Sequence, residues 1–453
     1  MNGRFKEYLE EAIGTENALV AFSAFDSPAP VSVRMNPFKK GPAPDGRPVD
    51  WCRHGLKLDR RPSFTLDPLF HAGAYYVQDS SSMFVGHIFR QVLSDMQLPS
   101  SRPLRVLDLC AAPGGKTTDL AASLREVCGD AFLLVANEVM KARVGILADN
   151  VAIWGDPNVV VTSDDPRAFA PLAEYFDIIL ADVPCSGEGM FRKDEQAQQQ
   201  WSEDNVALCE ARQRRIIADV WPSLSQGGVL IYSTCTFNRY ENDGNVGWIA
   251  ENLGGEILQN DIDAAGVLRT AYGYSLVPGL VEGEGQYCAS LRKTSGPDYV
   301  CGKAPRGSEK VSKGVALPDG LDSYFSRRMM FSLKGDMVTA VPGNLASDAA
   351  MLRQNLHVIS AGCAVGTMKG KILVPDADMA LSIMLDPEIF PRHEVDRQTA
   401  LRYLHRDTIT LQDAPKGYVL VCHEGLPLGF VKNLGNRCNS LHPQSRRIRM
   451  DIL

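Results

Sequence analysis

The sequence predicts an α/β protein whose central domain is a Rossmann-like, doubly wound, mostly parallel sheet. Three observations carry this. Between Pro103 and about Lys293, short apolar runs alternate with helical stretches, the order that yields parallel strands covered by helices on both faces. The first run passes through a turn of small residues straight into a helix. Two later runs end in turns that carry Cys185 and Cys235, and in such folds the strand-end turns line the ligand crevice.

Residues 1–98 read as a separate N-terminal α/β region. Phe5 to Ala24 is expected to form one helix, and Ser32–Pro37 a strand ended by proline. Gly41–Pro48 is a Pro/Gly loop, and Gln78–Met83 caps a helix that continues through Val92. In the central domain, residues 99–293, the expected strands are Arg105–Leu109, Phe132–Asn137, Val159–Thr162, Asp177–Ala181 and Val229–Ser233, with a late one at Gly285–Leu291. Helices fit Thr117–Val127, Lys141–Trp154, Asn205–Ser223 and Asn242–Leu253. Composition shifts at Lys293 toward Gly, Pro, Ser and Lys, so residues 294–315 read as a linker. Residues 316–384 form a third region, and residues 385–453 a small mixed module with strands Gly417–His423 and Leu428–Lys432.

At 453 residues the chain exceeds one core and should hold two to four domains. Apolar residues at 45% and charged residues at 22% are ordinary for a soluble globular protein, and no apolar run nears bilayer length. The N-terminus lacks the apolar segment of a secretory signal, so a cytoplasmic, membrane-free protein is expected. Eleven cysteines without a C-x-x-C pair or zinc-ligand spacing are expected to be reduced, with no metal site. Cys52, Cys128, Cys209, Cys288, Cys301 and Cys363 read as small core or surface residues. The net charge of −7 argues against indiscriminate coating of nucleic acid, although the last sixty or so residues are net positive.

Arg105-Val106-Leu107-Asp108-Leu109-Cys110-Ala111-Ala112-Pro113-Gly114-Gly115-Lys116-Thr117 is strand, small-residue turn, then helix. Small residues admit a ligand close to the backbone, and the helix start offers unpaired N–H groups. Cys110 stands where a phosphate-binding P-loop needs its first glycine, and G-x-G-x-x-G is absent. Three acids follow later strands: Glu138, Asp165 and Asp182. An acid after the second strand suits a ribose diol, and one after the third reaches an adenine amino group. A nucleoside without phosphates fits, which points to S-adenosylmethionine.

The turns Ala181-Asp182-Val183-Pro184-Cys185 and Ser233-Thr234-Cys235 bring two thiols and a carboxylate to one sheet edge if their strands are neighbours. That set suits covalent attack on an electron-poor ring. Carbon 5 of cytosine is a poor nucleophile. A thiolate added at carbon 6 makes it enamine-like and able to attack a methyl sulfonium, while a carboxyl at ring nitrogen 3 stabilises the charge. A base then removes the carbon 5 proton and the thiol leaves. The residues alone do not choose which of Cys185 and Cys235 attacks.

The stretches Asp108–Thr117, Asp182–Asp194 and Tyr232–Glu241 closely resemble the Sun-type (Nop/Sun) RNA cytosine-5 methyltransferases, in their bacterial RsmF-like branch. Ser32–Pro37 and Gln78–Ser82 resemble its N-terminal region, and Leu428–Arg437 its PUA-like RNA-binding tail. The resemblance implies a class I methyltransferase fold, with Cys235 as nucleophile and Cys185 assisting product release. It also implies that Cys110, Ala111, Ala112, Pro113, Gly114, Gly115, Lys116, Glu138, Asp165 and Asp182 contact S-adenosylmethionine, with Asp182 near the target base. In Ser163-Asp164-Asp165-Pro166 two adjacent acids leave the adenine contact open by one position. Lys193 is a candidate for RNA phosphate or for the active-site loop.

The implied substrate is 16S ribosomal RNA near the decoding region, free or in the 30S subunit, bound by a monomer. Its cytosine must be unpaired or flipped from its stack, and the terminal regions grip shape and backbone. Transfer RNA methylation uses the same chemistry, and a non-catalytic ribosome-assembly factor is the reading from another class. The intact Asp182, Cys185 and Cys235 argue against the latter.

Overall fold

A computed structural model describes residues 3–193, 195–260, 262–294, 317–318 and 320–452. Its centre is a ten-stranded sheet of β1 (Leu104–Asp108), β2 (Phe132–Asn137), β3 (Val159–Thr162), β4 (Phe176–Asp182), β5 (Leu224–Thr234), β6 (Gly255–Leu258), β7 (Leu268–Arg269), β8 (Tyr274–Leu276), β9 (Gln286–Lys293) and β10 (Val358–Ala361). The path is β7-β8-β9-β5-β4-β1-β2-β3-β10, with β6 also paired to β9. Strands β1 to β5 are mutually parallel, whereas β9 and β10 add antiparallel to β5 and β3.

The parallel strands read as unbroken apolar runs because both faces are covered. One face, with Val106, Leu134, Ile178 and Ile231, packs under the helices Phe84–Asp95, Gly115–Cys128 and Lys141–Trp154. The other, with Leu107, Val135, Ile179 and Leu230, lies against the helices Glu203–Val220 and Asp243–Leu253. Each such side chain taken fully from water contributes about 1.5–3 kcal/mol before entropy is counted. The order reverses at β1 and β4, whose carboxyl ends therefore open the crevice such sheets use for ligands.

The expected helix Phe5–Ala24 is two helices, Gly3–Ile13 and Thr15–Phe25, because Gly14 turns the chain at φ +81°. Gln78–Met83 is a turn and the helix starts only at Phe84. There the Asp79 carboxylate accepts from the backbone N–H groups of Ser81, Ser82 and Glu284. Lys293 remains in β9, its buried ammonium bonded to the Leu224 carbonyl at 2.7 Å. The rest of the expected linker, and Cys301, fall almost wholly outside the described residues.

Beyond residue 316 a four-stranded antiparallel sheet (Met329–Lys334, Met337–Pro342, Cys363–Lys369, Ile372–Pro375) lends β10 and the helix Ala346–Asn355 to the central body. Ala349 and Leu352 of that helix join the second core. The C-terminal module has four strands rather than the expected two: Arg392–Glu394, Gly417–His423, Leu426–Asn433 and Cys438–Ser440. It shares a core with the N-terminal sheet, where Val33, Phe64 and Tyr75 meet Leu401, Val419 and Leu428. Arg446 also ties it to the central domain, pairing with Asp149 at 2.8 Å, and to the third region, pairing with Asp378 at 2.6 Å. Among the described residues no helix is long and apolar enough to cross a membrane.

Candidate active site

Parallel pairing of β4 with β5 sets Asp182 beside Ser233, so the turns that follow leave the sheet side by side. Cys185 comes three residues after Asp182 and Cys235 two after Ser233, and their sulfurs stand 3.1 Å apart. Both are free thiols. The turns are locked together: the Gly189 N–H donates to the Cys235 carbonyl at 2.7 Å, and Ser186 Oγ meets Thr236 Oγ1 at 2.9 Å. Only glycine fits at 189, since a Cβ would lie 2.5 Å from that carbonyl.

Two buried carboxylates bolt the turns from behind. Glu188 accepts from the backbone N–H groups of Phe237 (2.7 Å) and Asn238 (3.0 Å) and from Trp201 Nε1 (2.9 Å). Glu241 accepts from the Ser186 N–H (3.0 Å) and from Gln213 Nε2 (2.7 Å). Asn238 Nδ2 bridges them, at 2.9 Å from Glu188 and 2.8 Å from Glu241. Burial and the neighbouring Glu188 charge push Glu241 up to about 7, against donors that favour its ionised form. Over this floor lie Phe5 and Phe25 of the N-terminal helices, against Phe191, Trp201 and Phe237.

Asp182 is gripped on both oxygens. Lys116 Nζ donates to Oδ2 at 2.8 Å and Ser233 Oγ to Oδ1 at 3.0 Å. Lys116 also reaches Ser82 Oγ at 3.1 Å, bringing the N-terminal region into the site. Burial alone would lower the Lys116 ammonium, but Asp182 and Cys235 outweigh it and hold it above the ordinary lysine range. A cation held by Asp182 and Ser82 therefore lies within electrostatic reach of Cys235.

The other thiols nearby are held protonated. Cys185 is pushed well up by its contact with Cys235, then by burial and by Glu241. Burial first, then Asp108 and Asp182, raises Cys110, and burial also raises Cys288. Either sulfur can donate to the other across the 3.1 Å pair.

The loop Cys110–Lys116 leaves β1 and enters the helix Gly115–Cys128 through Gly114, at φ +112°. Ala111 N–H is bonded to the Asn137 carbonyl at 2.8 Å, and the Pro113 carbonyl accepts from Asn150 at 2.7 Å and Tyr76 at 3.2 Å. Arg34 braces the helix from the N-terminal region: it donates to Gln78 Oε1 (2.8 Å), Thr118 Oγ1 (2.6 Å) and the Gly115 carbonyl (3.1 Å) and stacks on Trp154. Glu138, at the end of β2, accepts from the Met140 N–H at 2.8 Å and faces Arg143 at 3.5 Å. Asp165 caps the short turn Pro166–Phe169 and pairs with Arg167 at 2.9 Å, while Asp164 accepts from the His357 N–H at 2.9 Å.

Asp108, buried at the end of β1, was read only as part of a motif. Thr117 Oγ1 donates to its Oδ2 at 2.7 Å, whereas among the described residues its buried Oδ1 has no protein partner. Burial raises this carboxyl to about 7. An acid left short of donors beside a small-residue cradle fits a ligand with a cationic group, as S-adenosylmethionine has. Glu188, Glu241, Asn238 and Gln286 were likewise given no role from sequence. Their one signal was a polar residue within a thiol-bearing turn or, for Gln286, within an apolar strand.

Residues 96–292 match the family described as 16S rRNA methyltransferase RsmB/F. Residues 1–80 match the N-terminal domain of 16S rRNA methyltransferase RsmF, and 390–448 the methyltransferase RsmF PUA domain. The chain is 30% identical over 472 residues to ribosomal RNA small subunit methyltransferase F of Shewanella baltica, covering 98% of this chain and 96% of that protein. It is 30% identical over 418 residues to the Erwinia tasmaniensis protein of the same name, covering 88% and 84%. Among solved structures, a methyltransferase homologue from Pyrococcus horikoshii is 26% identical, with a TM-score of 0.54 over 65% of this chain and 95% of that one. NSun6 from Pyrococcus horikoshii, solved with SFG, shares the fold at 19% identity, with a TM-score of 0.52 over 65% of this chain and 98% of that one.

Proposed function

We propose, for a chain that belongs to the ribosomal RNA small subunit methyltransferase F family, that it methylates carbon 5 of a cytosine in 16S ribosomal RNA through a covalent Cys235–cytosine intermediate. The observation that carries the chemistry is the convergence of two free thiols, 3.1 Å apart, beside Asp182 at the ends of adjoining parallel strands. A bridge or a metal needs no carboxylate beside it, whereas ring addition uses one at the base edge.

Cys235, within electrostatic reach of the Lys116 ammonium, adds as thiolate to carbon 6 of the ring. Asp182, held by Lys116 and Ser233, faces the base edge; nitrogen 3 takes a proton from solvent as the sulfur adds, and the carboxylate accepts a hydrogen bond from the resulting N–H. S-adenosylmethionine, when bound, supplies an electrophilic methyl group on a sulfonium. The residues that would hold it are Cys110 to Lys116, Glu138, Asp165 and Asp182, with Asp108 beneath the loop. The carbon 5 proton is lost to solvent, and Cys185, 3.1 Å from Cys235, is placed to protonate the departing Cys235 thiolate as its bond to carbon 6 breaks and the product leaves.

The turns sit at a sheet edge, so the cytosine reaches them only when unpaired or flipped out. The N-terminal sheet and the C-terminal module, fused through one core, form a single gripping body beside that edge. Incubation with labelled S-adenosylmethionine and 16S ribosomal RNA, free and as 30S subunits, should yield 5-methylcytosine on nucleoside analysis. Methylation of transfer RNA alone would move the substrate assignment, and no methylcytosine in either RNA would overturn the activity.

A further inference from the structure

The Ser233 hydroxyl touches Asp182, but a hydroxyl can turn its proton elsewhere unless a donor occupies its lone pair. Gln286 is that donor. It stands at the start of β9, one step beyond the Tyr287–Thr234 pair, opposite the point where Cys235 leaves β5. Its side chain is buried, with Nε2 at 2.5 Å from Ser233 Oγ, 2.8 Å from the Thr234 carbonyl and 3.4 Å from Asp182 Oδ1. The carbonyl and the carboxylate only accept, so the amide must present its NH2 end to this corner. Both amide hydrogens are then spent, one on Thr234 and one on Ser233 Oγ.

We propose that Gln286 is a positioning residue for the methyl transfer, acting through Ser233: a one-way relay, Gln286 N–H to Ser233 O–H to Asp182 Oδ1, that fixes the Asp182 carboxylate for the target base. The relay rests on the reading of Asp182 as the group that faces that base. Lys116 fixes Oδ2 and the relay fixes Oδ1, so the carboxylate plane has no free rotation. A carboxylate that must meet a ring edge within hydrogen-bond reach loses rate when it swings. The sequence showed only a polar residue in a buried strand, where packing alone would favour an apolar one.

The experiment is steady-state methylation of 16S RNA by the full chain as wild type, Gln286→Leu, Ser233→Ala and the double variant, with Asp182→Ala as reference. Leucine keeps the volume and removes the donors, and alanine at 233 removes one atom from a folded strand. Each single variant should lower kcat about tenfold, the worth of one hydrogen bond to a charged acceptor, with the KM for S-adenosylmethionine within about twofold. Because the two act in series, the double variant should fall no further than either single one. A Gln286→Leu enzyme with kcat within twofold of wild type overturns the relay, as does a double variant whose loss is the product of the two. If Gln286→Leu fails to fold, full kcat in Ser233→Ala overturns it equally. Should Asp182→Ala retain full activity, the reading of Asp182 has failed, a result distinct from failure of the relay.

Discussion

Replacing Lys116 by methionine tests the electrostatics of the site. The ammonium lies 2.8 Å from Asp182 Oδ2, with 14% and 27% of the two side chains exposed. At that distance the gross attraction is about 6 kcal/mol for an effective dielectric of about 20, most of it offset by the cost of taking both charges from water. The net worth of a charge-assisted hydrogen bond is about 2–3 kcal/mol. Methionine keeps the stem, removes a charge within electrostatic reach of Cys235 and frees Asp182 Oδ2, so both groups that act on the ring are affected. If that net worth is realised as the ring is attacked, kcat/KM falls about 30- to 150-fold. The assay is single-turnover methyl transfer to 16S RNA with labelled S-adenosylmethionine, alongside thermal unfolding to confirm folding. A folded Lys116→Met enzyme within threefold of wild type would refute the claim that the ammonium prepares Asp182 and Cys235.

Further outcomes follow from the same geometry. In Gly189→Ala the new Cβ meets the Cys235 carbonyl at 2.5 Å and Gly285 Cα at 3.1 Å, which should separate the two thiol turns; methyl transfer falls at least tenfold and the unfolding midpoint drops. Arg34→Met removes a buried cation from three acceptors and the Trp154 face; a loss of about 3 kcal/mol and weaker binding of S-adenosylmethionine in calorimetry are expected, without rescue by lysine. Glu241 sits at about 7 in the fold against 4.5 ordinarily, so the folded chain keeps a proton that the unfolded chain has released. Its contribution to stability is full below about pH 4.5, is lost as pH rises to about 7, and totals at most about 3 kcal/mol. Glu241→Gln should flatten the fall in urea midpoint across that window, leaving the parallel contribution of Asp108; an unchanged slope would assign the pH dependence elsewhere.

The central strands were legible because a strand buried on both faces is written as an apolar run closed by turn residues. Phe132–Asn137, Val159–Thr162, Lys141–Trp154 and Gly417–His423 all fall where the pattern put them. The N-terminal helix was read straight through Gly14 because helical composition resumes at once beyond it; the positive φ there is a backbone fact with little trace in neighbouring side chains. Strand β10 was missed for another reason. Its partner, β3, is nearly two hundred residues away, and four residues carry no record of so distant a pairing. The chemistry-bearing residues Asp182, Cys185 and Cys235 were visible because strand ends in such a sheet face one crevice. The groups that hold them, Glu188, Glu241, Ser82 and Gln286, were not, because their partners are assembled only by the fold. Asp165 was legible as an acid after β3, but its cap on the turn Pro166–Phe169 and its pair with Arg167 were not.

The most direct measurement is to trap the enzyme on its RNA. Cys185→Ala, incubated with 16S RNA and S-adenosylmethionine, then digested to peptides and nucleotides, should give a mass adduct of methylated cytidine on the peptide bearing Cys235. No such adduct should form with Cys235→Ala. An adduct mapped to Cys185, or full turnover by Cys235→Ala, would contradict the assignment of the attacking sulfur and the mechanism built on it.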